Sequence, residues 1–119
     1  MGNTPAEALR RLREATEDGR LEALARAREL TLVTVFGSVV DDPANAHDID
    51  IAVAPRRGTS LDILAVMNDL LWLTGSDDVD VMDLGRAGPV AREQALTHCE
   101  LLYESEPGEF AREQVRAMM

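Results

Sequence analysis

The sequence has few aromatic residues and a single cysteine. Aromatics make up 3% of its 119 residues, so we expect the core to consist of Leu, Val, Ile, Ala and Met side chains. One cysteine, Cys99, excludes an internal disulfide; we expect it to be a small core residue in a reducing compartment. No segment approaches the ~20 apolar residues that span a membrane, and the N-terminus lacks the apolar region of a signal peptide. We therefore expect a cytoplasmic protein without membrane contact.

Positive charge is also scarce. The chain has no lysine, and its 12 basic residues, all arginine, face 22 acidic ones, which gives a net charge of -10. Such a chain repels nucleic-acid phosphates, so direct nucleic-acid binding is disfavoured. A nucleotide is not excluded, because a nucleotide can arrive with bound metal ions.

Four segments have the composition of β-strands, with helical patterns before and between them. Strands that alternate with helices indicate the α/β class. Because the chain shows no internal repeat or low-complexity linker, we expect one domain over residues 1–119, with residues 1–19 as an N-terminal helix and 20–119 as the core. The predicted strands are residues 30–36, 47–54, 79–84 and 100–104.

Helix limits and buried faces follow from capping residues and helical spacing. Thr4 should cap the first helix, which Gly19 ends. Thr59 and Asp62 form a second capping box, before a helix that runs to about Leu73. We expect the first and last helices to cover the sheet; the alternative is that their apolar faces mediate dimerisation or partner binding. On the helix that runs to about Leu73, the expected core residues are Leu64, Met67, Leu71 and nearby Trp72. On the last helix they are Ala111, Val115 and Met118.

The strand 47–54 carries two aspartates within an otherwise apolar pattern. Because strand side chains alternate, Asp48 and Asp50 should share one face and repel each other. A divalent cation removes that conflict, and Mg²⁺ prefers carboxylate oxygens together with waters and phosphates. The alternative is a pair of acids on a solvated sheet face.

Two further features favour a phosphate-handling site. Gly37 and Ser38 end the preceding strand; the glycine permits close backbone approach, and the serine hydroxyl lies where a helix would begin. The segment "VDVMDL" offers a third acid, for which we prefer Asp80 to Asp83. Three carboxylates, two Mg²⁺ ions and a Gly-Ser pair are typical of a two-metal phosphoryl- or nucleotidyl-transfer site.

The motif set "FGS", nine residues, "DIDIAV" and then "VDVMDL", followed by the "LLYE" strand and a last helix, resembles the minimal nucleotidyltransferases (MNT) of the DNA-polymerase-β-like superfamily. The resemblance implies a small mixed sheet backed by helices. It also implies that Gly37 and Ser38 hold ATP, that Asp48 and Asp50 bind two Mg²⁺ ions, and that Asp80 joins the metal site and helps to activate the acceptor hydroxyl. The implied reaction transfers AMP and releases pyrophosphate.

Many stand-alone members of this family are antitoxins that silence a helical HEPN ribonuclease toxin by adenylylating a tyrosine. The resemblance therefore implies a protein adenylyltransferase with a HEPN toxin as partner. The loop "VVDDPANAH" has Asp41 and Asp42 where members often carry basic residues, so an inactive antitoxin that acts by binding stays open. A small-molecule nucleotidyltransferase ranks last, because the chain is short for a substrate domain. Arg56 and Arg57 are either phosphate contacts or, as we prefer, solvated turn residues.

Overall fold

Four strands form one mixed sheet in the computed structural model, which describes residues 2–119. The strand order is β3-β2-β1-β4; β1 is antiparallel to both β2 and β4, and β2 is parallel to β3. The predicted α/β class with a small mixed sheet is confirmed. The strands are β1 (Leu30–Phe36), β2 (Ile49–Pro55), β3 (Val79–Asp83) and β4 (Cys99–Glu104).

Helices cover both faces of this sheet. A short 3₁₀ turn, Pro43–Asn45, follows α3, and α4 makes the crossover that two parallel strands require. No helix among residues 2–119 combines the length and apolarity needed to cross a membrane. The helices are α1 (Pro5–Asp18), α2 (Arg20–Ala27), α3 (Ser38–Asp41), α4 (Ile63–Thr74), α5 (Pro89–Thr97) and α6 (Glu109–Ala117).

Side-chain alternation along β2 divides the core into two layers. Ile49, Ile51 and Val53 are fully buried in the larger layer, against apolar residues of α1, α2 and α4. Ala52 and Ala54 lie in the smaller layer with residues of α5 and α6. The strand therefore has a buried apolar middle, and its charged neighbours lie at its two ends.

The caps of the first helix are as predicted, but the start of α4 is not. The Glu7 backbone N–H donates to Thr4 Oγ1 at 3.2 Å, and Gly19 ends α1 with a φ of 88°. At α4 the predicted Thr59 cap is wrong. Asp62 caps the helix by accepting from Ala65 N at 3.1 Å, whereas the Thr59 hydroxyl donates to the Arg56 carbonyl.

The predicted core face of α4 is wrong. Leu64 and Trp72 are 74% and 82% exposed, and Met67 and Leu71 are only partly buried. The buried residues of this helix are Val66, Leu70 and Thr74. The helix is apolar around most of its circumference, so helical spacing alone does not identify the stripe that faces the sheet.

The predicted core face of α6 is also wrong, although the helix covers the sheet as expected. Val115 and Met118 are exposed, as is Ala111, and the contact with the smaller core layer comes from Phe110 and Ala117. The reason is a buried charge. Glu113 lies on the inner side of α6, where two arginines pair with it.

Candidate metal centre

Three aspartates meet at one end of the sheet. Carboxylate oxygens of Asp48, Asp50 and Asp80 all lie within 4.8 Å of one another. Asp50 and Asp80 are direct partners in the parallel register of β2 and β3, and Asp48 immediately precedes β2. Parallel pairing thus places the acid of the later strand beside those of the earlier one.

The other acid of β3 lies outside this cluster. Asp83 ends β3, and its Oδ1 accepts a hydrogen bond from Gly85 N at 2.8 Å. Because side chains alternate along a strand, residue 83 points to the face opposite that of Asp80. The structure therefore places Asp80, the acid that the sequence favoured, beside Asp48 and Asp50. Asp83 instead forms a hydrogen bond within the turn that follows β3.

Repulsion within the cluster is visible in the electrostatics of Asp50. Burial, and then the negative charges of Asp48 and Asp80, raise the pKa of the Asp50 carboxyl from 3.8 to about 6. No basic side chain of residues 2–119 offsets this effect. Three convergent carboxylates suit a hard divalent cation, which would restore the ionised form of Asp50. The donor set therefore fits a Mg²⁺-type ion.

Gly37 lies directly against this cluster. Its φ of +82° and ψ of -158° belong to a region that essentially only glycine adopts. A Cβ at this position would lie 2.5 Å from Asp50 Oδ2, much closer than a carbon and an oxygen can approach. The glycine is thus required both by its backbone conformation and by the space that the Asp50 carboxylate occupies.

The antiparallel pairing of β1 and β2 explains how Gly37 and Ser38 reach the acids. Phe36, the last residue of β1, pairs with Asp50 near the start of β2. Ser38 begins α3, and its side chain is exposed. All five predicted site residues, from Gly37 to Asp80, therefore lie at one end of the sheet.

Charged residues near the motif have other environments. Asp41 and Asp42 are exposed, and Asp42 accepts a hydrogen bond from the Asn45 side chain at 2.8 Å. Arg56 and Arg57 follow the far end of β2, about 20 Å from Asp50 at ~3.3 Å per residue. They therefore lie too far away to contact a phosphate held by the aspartates. The sequence did not predict their surroundings, a cleft lined with further arginines.

The chain was compared with protein families and with curated protein sequences. The family described as Polymerase beta, Nucleotidyltransferase matches residues 21–108, a segment that contains every candidate site residue. No curated protein sequence matches the chain.

Several solved structures share the fold. One is a toxin–antitoxin structure with AMP-PNP, with 26% identity, a TM-score of 0.68, and coverage of 85% of this chain and 83% of that one. Another is a tri-AMPylated Shewanella oneidensis HEPN toxin in complex with MNT antitoxin, with 26% identity, a TM-score of 0.65, and coverage of 89% and 83%. The toxin–antitoxin MntA-HepT matches at 27% identity and a TM-score of 0.62, with coverage of 85% and 80%.

Proposed function

Because the chain belongs to the Polymerase beta nucleotidyltransferase family, we propose that it is an antitoxin that transfers AMP from ATP to a tyrosine hydroxyl of a HEPN ribonuclease toxin. The observation that carries the proposal is the cluster of Asp48, Asp50 and Asp80 beside Gly37. Similar structures support the partner and the chemistry, since one contains an AMPylated HEPN toxin and another contains AMP-PNP.

In this proposal the three aspartates hold two Mg²⁺ ions, and Gly37 and Ser38 bind the triphosphate. Bound Mg²⁺ supplies neutralisation of the charge that develops on the reacting phosphate. The absence of a side chain at residue 37 lets the phosphates approach the backbone, and the exposed Ser38 hydroxyl can donate a hydrogen bond to them.

The proposed transfer forms one bond, breaks another and moves one proton. The acceptor oxygen forms a bond to the α-phosphorus, and the bond to the bridging oxygen breaks, so pyrophosphate leaves. The hydroxyl proton passes to a carboxylate, a role that we assign to Asp80 because it is the exposed acid of the cluster on β3.

A second candidate function is neutralisation of the toxin by binding alone. Asp41 and Asp42 are exposed just after Ser38, and no basic side chain accompanies the aspartate cluster in the described part of the chain. Both features weaken triphosphate binding. An acidic surface would still speed association with a basic partner.

One experiment separates the two functions. The chain, its cognate toxin, Mg²⁺ and α-labelled ATP are incubated, and the Asp48→Asn/Asp50→Asn variant is compared with Asp83→Asn, a matched β3 control outside the cluster. We expect labelled toxin with the unmodified chain and with Asp83→Asn, and none with the double variant. No label with the unmodified chain would refute transfer. Toxin activity is assayed in the same samples, and neutralisation that persists with a folded double variant would establish binding alone as its cause.

A further inference from the structure

A second concave surface lies at the opposite end of β2 from the aspartates. It forms where the turn after β2 meets α5 and α6, and it consists of two adjoining cavities of about 390 and 300 Å³. We call it the arginine cleft, after the five arginines that line it: Arg56, Arg57, Arg92, Arg112 and Arg116.

The arginine cleft concentrates positive charge in an acidic protein. It holds five of the 12 basic residues of the chain, and Glu109 and Glu113 are the carboxylates among its lining residues. Its lining side chains are five positive and two negative ones. Glu29 lies 4.0 Å from Arg56, and Glu104 and Glu106 act on Arg112 from the margin, so the guanidinium donors rather than a large net charge favour an anion here.

A buried carboxylate holds two of the arginines in place. Glu113 is 8% exposed; it accepts from Arg92 Nη2 at 3.0 Å and from Arg116 Nη1 at 2.8 Å. Arg92 also donates to the Leu84 carbonyl oxygen. A guanidinium has five N–H donors, so both arginines keep donors for a ligand while their positions are fixed. Such preorganisation lowers the entropy cost of binding.

The other side of the cleft is a tight turn that presents two exposed arginines. Thr59 donates to the Arg56 carbonyl through both its N–H, at 3.0 Å, and its hydroxyl, at 2.6 Å, and Gly58 has a φ of +84°. No ion pair involves Arg57 within residues 2–119, and the Arg56 guanidinium pairs with Glu29 at 4.0 Å. The turn is therefore fixed, the Arg57 guanidinium is available, and that of Arg56 is held by one long contact.

We propose that the arginine cleft binds a small phosphate-bearing anion, at a site separate from the aspartate cluster. Arginine forks match phosphate oxygens in pairs, and several guanidiniums around one cleft suit a compact anion with several charges. A nucleic acid is disfavoured, because the remaining surface carries a large negative charge. The proposal does not depend on AMP transfer, since none of its residues belongs to the aspartate cluster.

The test is calorimetric titration of metal-free protein with inorganic phosphate, pyrophosphate, AMP and a short RNA oligonucleotide at low ionic strength. The main variant is Arg56→Ala/Arg57→Ala, which leaves the buried Glu113 pairs intact. The matched control is Arg10→Ala/Arg26→Ala, which removes two exposed arginines from α1 and α2. Asp50→Asn tests whether the anion binds at the aspartates, and circular dichroism confirms that each variant is folded.

We expect pyrophosphate binding to weaken about tenfold or more in Arg56→Ala/Arg57→Ala, because charge-assisted hydrogen bonds are lost. We expect a change of less than about twofold in the Arg10→Ala/Arg26→Ala control and in Asp50→Asn. Clearly tighter binding to Asp50→Asn would place the anion at the aspartates and overturn the proposal. Tighter binding of AMP than of phosphate would support a nucleotide ligand, and the reverse order would support a free phosphate. Equal losses in both double variants, no binding to the unmodified chain, or tighter binding of an RNA oligonucleotide would overturn the proposal.

Discussion

Replacing Asp50 with asparagine should stabilise the metal-free protein at pH 7.5. The folded state holds this carboxyl half-buried beside two other carboxylates, which raises its pKa from 3.8 to about 6. At pH 7.5 the group is ionised in both folded and unfolded chains, but only the folded chain bears the cost of burying the charge and of repulsion by Asp48 and Asp80. Asparagine keeps the shape and removes the charge.

The sign of the pH dependence follows from the raised pKa. Below about pH 3 the carboxyl is mostly protonated in both states, so it costs the folded state little. Between pH 3 and 6 the unfolded chain releases its proton first, so stability falls, and above pH 6 nearly the full cost is present. The shift corresponds to about 3 kcal/mol at most; allowing for solvent screening of a partly exposed group leaves about 1–2 kcal/mol.

Thermal unfolding in a metal chelator measures this effect. For a domain of this size, 1–2 kcal/mol corresponds to a rise in Tm of about 4–8 °C at pH 7.5, and the gain should shrink towards zero near pH 3. Adding Mg²⁺ should raise the Tm of the unmodified chain and not that of Asp50→Asn. Asp83→Asn is the control outside the cluster: it should show no gain in Tm at pH 7.5, and it should keep the Mg²⁺-induced rise. A gain that is equal at both pH values, or a loss at pH 7.5, would refute the electrostatic explanation.

Three further substitutions test other parts of the structure. Gly37→Ala should destabilise the fold by about 1–3 kcal/mol and abolish the Mg²⁺-induced rise in Tm, because the backbone is strained and the new methyl group meets Asp50; an unchanged metal response would contradict this. Glu113→Ala should lower the free energy of unfolding, measured in urea, by about 3 kcal/mol, since it leaves two arginines without their buried partner. A loss below about 0.5 kcal/mol would show that these ion pairs behave as solvent-exposed ones. Trp72→Ala should change the free energy of unfolding by less than about 1 kcal/mol, because the side chain is exposed. A larger loss would show that Trp72 is buried in the core, as the sequence predicted.

The site was more predictable than the helix faces. Strand alternation has a period of two, so the pattern around Asp50 and Asp80 assigns each residue to a face without ambiguity. Alternation places Asp80 and Asp83 on opposite faces but does not say which of them meets the pair, and the choice of Asp80 rested on its two valine neighbours. Gly37 was predicted to permit a close approach, but its contact with the Asp50 carboxylate depends on the pairing of β1 with β2, which local sequence does not reveal.

The predicted buried faces of α4 and α6 were wrong for two different physical reasons. In α4 most positions are apolar, so Leu64 and Trp72 were indistinguishable from the residues that are buried. In α6 the inner side contains Glu113, a residue type that is almost never buried unless paired. Its partners lie on α5 and α6, and the contact with Arg92 of α5 is a tertiary one, absent from the local pattern.

The separation of charge along β2 bears on the metal ion proposed for the aspartates. Residues 51–54 are buried and apolar, so charged groups can lie only at the ends of the strand. The acids lie at one end and Arg56 and Arg57 follow the other, about 20 Å away. That distance exceeds the Debye length of ~8–10 Å at physiological salt, so the arginines do not relieve the repulsion at Asp50. A divalent cation, which would bring a high charge into direct contact with all three carboxylates, is the simplest group that does.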